Sequence, residues 1–293
     1  MMLNGECGKI ENYTPFLNKK LMLKKLFKFG GDSNFGKLGN TIITVVGMTL
    51  LVLLWHFVAK NEIVPTKILP DPFKVIGSLG TLITENDLFG NLWYTVRLNL
   101  SSYFYAILIA FPIAFILGVF PVFDVLFGRY ASALRFIPCP SLTGIFIAIF
   151  GLTFTTKAAF LTFAIVIFMI PEIVNKIHDL QNPKNDKDNV YLQTAHTLGM
   201  SAWQKLRYVY IPYVTSGVYN SLVGLTGISY SYVVISELIY KDGAVSGIGA
   251  LINTMTRQSN MAEAYALIVI VIAVGCLQDF VFRKLGKVLF KFK

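Results

Sequence analysis

Long apolar runs alternate with short polar stretches along most of this chain, and the runs are helix-length rather than strand-length. A helix needs about 20 apolar residues to cross a hydrocarbon core of about 30 Å. Six runs meet that length: about Asn40 to Ala59, Asn99 to Phe120, Ala131 to Leu152, Thr156 to Lys176, Thr215 to Leu238 and Met261 to Phe282. Pro138 and Pro140 interrupt the third, so a broken or late-starting helix is expected there. The pattern predicts an all-α, polytopic membrane protein.

Between the fourth and fifth runs the pattern changes. Asp179 to Asn189 is the most polar linker, and it leads into Gln193-Thr-Ala-His-Thr-Leu-Gly-Met-Ser201, a polar helix stopped at Gly199. Glycine has no Cβ and accepts the left-handed conformation that ends helices. Ser201 with Gln204 three residues later has capping-box spacing, so a second helix starts at once. Two short helices meeting at a sharp corner, about residues 189–212, are therefore set on the wet side of a membrane protein.

This segment resembles the cytoplasmic EAA loop of ABC-importer transmembrane subunits, through Ala195, Gly199 and the Ile211-Pro212 pair. Two positions depart from the family pattern: Gln193 stands where Glu is usual and Thr194 where the first Ala is usual. In order and spacing, five further stretches look like the nitrate/sulfonate/taurine branch of these permeases. They are Leu69-Pro-Asp-Pro72; Ala133-Leu-Arg-Phe-Ile-Pro138 with Pro140; Phe150-Gly151; Pro171 with Asn175; and Val234-Ile-Ser-Glu-Leu238 with Ser246-Gly-Ile-Gly249. The similarity runs from about Ile63 to Arg283.

The resemblance implies a permease subunit acting as a homodimer, with Gln193, Thr194, Ala195, Leu198, Gly199, Met200, Ser201 and Pro212 docking a separate ATPase subunit. It also implies a periplasmic or lipid-anchored binding protein that delivers a small solute. On span five, Asn220, Ser221, Gly224, Gly227 and Ser231 follow helical spacing as a small and polar face. That face either packs closely against another helix or lines the translocation path. Glu237, at the outer end, matches the family's acidic position and is either a gate residue or an acceptor for N–H groups of the Ser246-Gly-Ile-Gly249 loop. Arg97 and Arg135 match family positions near span ends, where snorkelling to headgroups competes with solute contact. Asp279 is spaced to pair with Arg283 one turn on.

Composition agrees with a membrane protein: 55% hydrophobic, 14% charged and mean hydropathy +0.61, against about 25% charged for an ordinary soluble domain. The net charge of +10 would suggest nucleic acid in a soluble protein. Here it sorts by loop instead. Lys9, Lys19, Lys20, Lys24, Lys25, Lys28 and Lys37 precede the first span, and Arg283, Lys284, Lys287, Lys291 and Lys293 follow the last. With Arg129, Arg135, Lys176, Lys184, Lys187, Lys205 and Arg207, nineteen of the 26 basic residues fall on one side. The positive-inside tendency then puts both termini and the hairpin in the cytoplasm of an inner-membrane protein.

Residues 1–39 read as a cytoplasmic segment in which Phe16 to Phe29 is either a basic amphipathic helix on the inner leaflet or a disordered tail. Residues 40–293 read as one permease domain, with lipids as a further partner. Gly31-Asp-Ser-Asn-Phe-Gly36-Lys37 has phosphate-loop spacing, but Leu38 follows where a magnesium-binding Ser or Thr belongs. Cys7, Cys139 and Cys276 have neither disulfide nor zinc spacing, and the three His are scattered, so no cofactor, metal or catalytic residue is expected. An ion-coupled secondary transporter is the alternative; it calls for mid-span acids, and no Asp or Glu cluster is present. A membrane enzyme or scaffold would call for a polar catalytic cluster, also missing.

Overall fold

A computed structural model describes residues 36–182, 186–241, 243 and 245–290. The basic Phe16–Phe29 segment, Lys19, Lys293 and most of the Gly31–Lys37 stretch lie outside the described residues. By their contacts the residues group into two units, Met1–Val64 and Pro65–Lys293.

The described part of the first unit is α1 (Gly36–Lys60), whose apolar window has a mean hydropathy of 2.3 and is only 6% buried. Such a surface is compatible with lipid and not with water.

The second unit is helical throughout its described residues. Short α2 (Pro72–Gly77) and α3 (Leu79–Thr84) precede α4 (Leu88–Val119), whose N-terminus is capped by Asp87 accepting from the Gly90 N–H at 3.2 Å. α5 (Pro121–Phe136) and α6 (Cys139–Phe150) form a pair bent by 95°, with Ile137 and Pro138 extended at the corner. The prolines at 138 and 140 explain the break, since neither has an N–H to give the helix. The third run is therefore not one straight span from Ala131 to Leu152 but two limbs, the first of which begins ten residues earlier.

α7 (Phe154–Gln181) is the centre of the unit: 72% of its most apolar window is buried, against 17% for the last span. Leu161, Ile165, Met169, Ile173 and Ile177 repeat at helical spacing and pack with Ala106, Ala110 and Ala114 of α4. Small residues on one helix admit the large ones of the other, as close packing between spans requires. After α8 (Asp186–Thr197) comes α9 (Ala202–Glu237), then α10 (Ile248–Arg257) and α11 (Met261–Leu289). Val214, Val218, Leu225 and Val233 of α9 complete the core. Among the described residues, five helices are long and apolar enough to span a membrane, or six if the bent pair is one span.

Span boundaries shift where the apolar runs end. Span five starts not near Thr215 but at Ala202, because the second hairpin helix runs on through Pro212 into the membrane helix. Pro212 cannot donate a backbone hydrogen bond, and the helix accommodates it with a π turn over Leu206–Tyr210, in which the Ile211 N–H donates to Leu206 O. Span two likewise starts at Leu88 rather than Asn99, since Asn91 and Thr95 between them are buried against protein.

Candidate functional site

At the hairpin, α8 ends in a Schellman motif. The Gly199 N–H donates to His196 O and the Met200 N–H to Ala195 O, both at 3.0 Å, with Gly199 at φ 65°. Ser201 then caps α9: its N–H donates to Gln204 Oε1 at 2.8 Å while the Gln204 N–H donates to Ser201 Oγ at 3.4 Å. Lys205 Nζ donates to His196 Nδ1 at 3.1 Å across the corner, and the rings of Tyr191 and Tyr213 meet at 5.9 Å behind it. The corner is thus held from both sides.

Its outer surface is open. Ala195 is buried, while Gln193, Thr194, Gly199 and Ser201 are exposed and Met200 is half-buried. Leu198 and Trp203 stand 66% and 67% exposed on either side of the corner. Two large apolar side chains on a polar loop, beside a rigid bend, are what a grooved protein partner would cover.

α9 carries the next group. Its 36 residues correspond to about 54 Å at 1.5 Å per residue, so one continuous helix joins the corner to the far end of the span. Asn220, Gly224, Gly227 and Ser231 are exposed along one face and Ser221 is half-buried. A Cβ added at Gly224 or Gly227 would meet nothing within 4 Å. Close packing within the second unit is therefore not what these glycines serve; the face is open there.

At the other end of α9, Glu237 leaves that face and is fully buried. Thr95 Oγ1 donates to its Oε1 and the Gly249 N–H to its Oε2, both at 2.6 Å. The acceptor alternative is the geometry present. Asn91 Oδ1 accepts from the Ser246 and Gly247 N–H groups at 3.0 Å each, and Thr95 Oγ1 accepts from the Ile248 N–H at 2.9 Å. Four consecutive N–H groups at the buried start of α10, which its own helix cannot satisfy, are thus held by side chains of α4 and α9. The glycines follow from this. Gly247 sits at φ 99°, where a Cβ would strike the Glu237 carboxyl at 2.1 Å, and a Cβ on Gly249 would lie 2.6 Å from Val234 O.

Lys157, fully buried near the start of α7, stands over the rings of Tyr94 at 5.0 Å and Tyr240 at 4.3 Å and acts electrostatically on Glu237. Deeper in the bundle, Asn99 Nδ2 donates to Ser229 Oγ at 3.1 Å, Gln278 Nε2 to Asn99 Oδ1 at 3.3 Å, and the Tyr230 hydroxyl to Gln278 Oε1 at 2.9 Å, tying α4, α9 and α11 together. Asn91, Thr95, Asn99, Lys157 and Gln278 were not singled out from the sequence. The i, i+4, i+8 spacing of Asn91, Thr95 and Asn99 is the signal that marks the first three.

At the hairpin end of the bundle, Asn175 lines a cavity of about 670 Å³ with Asp124, His178 and Asp179, where His178 Nε2 lies 3.4 Å from Asp124 Oδ2. Arg135 is exposed, its Nε donating to Ser132 O at 3.4 Å. Arg283 grips Asp279 at 2.6 and 3.1 Å, the pair its spacing predicts.

Comparison with known proteins places this geometry. The chain is 22% identical over 218 residues to the taurine transport system permease protein TauC of Escherichia coli (strain K12), covering 72% of this chain and 75% of that one. The likeness is to ABC-importer permeases. The same fold appears in the crystal structure of an amino acid ABC transporter with histidines (TM-score 0.54, 16% identity, 73% of this chain and 97% of that one). It appears again in the inward-facing MetNI methionine ABC transporter (TM-score 0.54, 15% identity, 69% and 95%). No family model matches the chain. This permease fold, with its apolar spans, makes the chain a multi-pass membrane protein.

Proposed function

We propose that the chain is the inner-membrane permease subunit of an ATP-driven importer, two copies of which enclose one pathway for a small solute, sulfonate-like or a related oxyanion. Residues 40–293 form the permease domain, and both termini and the hairpin are cytoplasmic. Each copy docks one separate ATPase subunit through the Gly199 corner, and a binding protein delivers solute to the opposite face. The observation that carries this reading is the continuity of α9: one helix bears the exposed corner, the open face from Asn220 to Ser231 and the buried Glu237.

Mechanism follows from that rigidity. When the ATPase pair closes on ATP, the two corners are drawn together, and a helix that cannot shorten turns that displacement into tilt of its open face along the pathway. The Tyr191–Tyr213 contact and the capping box keep the corner from bending away from α9. At the far end, Glu237, Thr95 and Asn91 make α10 move as one piece with α4 and α9. Purification in mild detergent from the native host tests the assignment. An ATPase polypeptide is expected at one copy per permease subunit, released when the corner is altered; a pure permease oligomer that transports without nucleotide would instead indicate ion coupling.

A further inference from the structure

α4, α6 and α7 enclose a groove of about 470 Å³ walled by Tyr105, Ile109, Phe146, Phe150, Phe154 and Phe163, with Ala158 and Ala159 among its lining residues. No acidic or basic side chain lines it. All three helices lie within the spanning part of the chain, where the medium is acyl chain rather than water. α6, with the 12 residues of Cys139–Phe150, reaches only about 18 Å and is shorter than the two helices beside it.

Depth and charge identify the occupant. Along α4, Arg97 precedes Tyr105 and Ile109, and the twelve-residue step from Arg97 to Ile109 rises about 18 Å. That is close to half of a hydrocarbon core of about 30 Å, the thickness of one leaflet. The Arg97 guanidinium lies 5.3 Å from the ring centroid of Phe154, a wall of the groove, so a cation stands at its mouth. Trp93, one turn further out and 68% exposed, marks the same level as the membrane–water interface.

We propose that this groove seats one acyl chain of an anionic phospholipid per subunit, its phosphate on Arg97, from the leaflet facing the Leu88 end of α4. Under the topology above that is the outer leaflet. The seat requires only that the chain span a membrane, so its failure would leave the transport reading untouched.

Native mass spectrometry of the purified protein, delipidated and titrated with phosphatidylglycerol or phosphatidylcholine, tests this. One tightly held phosphatidylglycerol per subunit is expected, with phosphatidylcholine held more weakly. Arg97→Gln, at an exposed position, should weaken phosphatidylglycerol by about five- to tenfold and leave phosphatidylcholine unchanged. Ala159→Phe should abolish the tight site by filling the groove, while Leu108→Phe, exposed on α4 and outside the groove, should retain it. Equal retention of both lipids, or wild-type phosphatidylglycerol binding by Arg97→Gln, would overturn the proposal. So would efficient cross-linking in native membranes of a cysteine at Ala159 to one in α1 or in a second copy, since a protein helix would then fill the groove.

Discussion

Replacing Gly199 by Val probes the hairpin where its geometry is most demanding. The residue sits at φ 65°, and a Cβ built there would touch nothing within 4 Å, so the cost is backbone strain and not collision. Left-handed conformations cost an ordinary L-residue about 1–2 kcal/mol, and a β-branched one falls at the upper end of the roughly 1–3 kcal/mol seen for strained backbone. If the docked state needs this corner, each 1.4 kcal/mol is a factor of ten, so Gly199→Val should weaken ATPase docking by about 5- to 150-fold. Gly199→Asn, which tolerates the left-handed region, should be nearly neutral, and Gly199→Ala should fall between. Insertion depends on the apolar spans, which the substitution leaves intact. Membrane levels and dimer content should therefore stay at wild type while ATPase subunits are lost on purification and uptake falls. Gln193→Glu, at an exposed position, should leave docking unchanged or tighter. Wild-type uptake with full ATPase retention in Gly199→Val would refute the docking role of the corner.

At the far end of α9, Glu237→Ala should strand the Gly249 N–H, at about 1–3 kcal/mol, while the Thr95 hydroxyl keeps Asn91 O as an acceptor at 3.1 Å, and the melting temperature in detergent should fall. Glu237→Gln keeps an acceptor oxygen and should cost no more than about 1.5 kcal/mol; a Lys157→Met chain should regain part of its loss when Glu237→Gln is added, and strict additivity would exclude their coupling. Gly224→Leu and Ser231→Leu should abolish or strongly reduce uptake without loss of monomer stability, because the face is open in the single subunit. The control is Val269→Leu, at an exposed position of α11, which should transport normally; Val233 is fully buried and would report overpacking instead. A cysteine at Asn189 should react only with reagents that reach the cytoplasm, and labelling of intact cells by an impermeant reagent would reverse the topology.

The hairpin was legible in the sequence because its determinants are local. Gly199, Ser201 and Gln204 fix their own backbone through bonds spanning three to five residues, and spacing alone reveals such bonds. The same holds for Asp279 with Arg283, and for the break at Pro138 and Pro140. The outer network was not legible as a unit. Asn91 and Ser246 are 155 residues apart, and Asn99 and Gln278 are 179 apart, so only the tertiary fold shows that they meet. Span ends were misread for a related reason: counting apolar residues stops at Asn99 from one side and at Thr215 from the other, although α4 continues because Asn91 and Thr95 find protein partners and α9 continues as the second hairpin helix. The open glycines of α9 show the converse, a face that nothing else in the second unit covers.

Reconstitution into proteoliposomes tests the central claim most directly. The subunit, co-purified with its ATPase and supplied with the binding protein, should accumulate solute only when ATP is present on the hairpin side, with uptake lost when the ATPase is stripped away. Uptake by the chain alone, driven by a proton or sodium gradient and indifferent to ATP, would contradict the account.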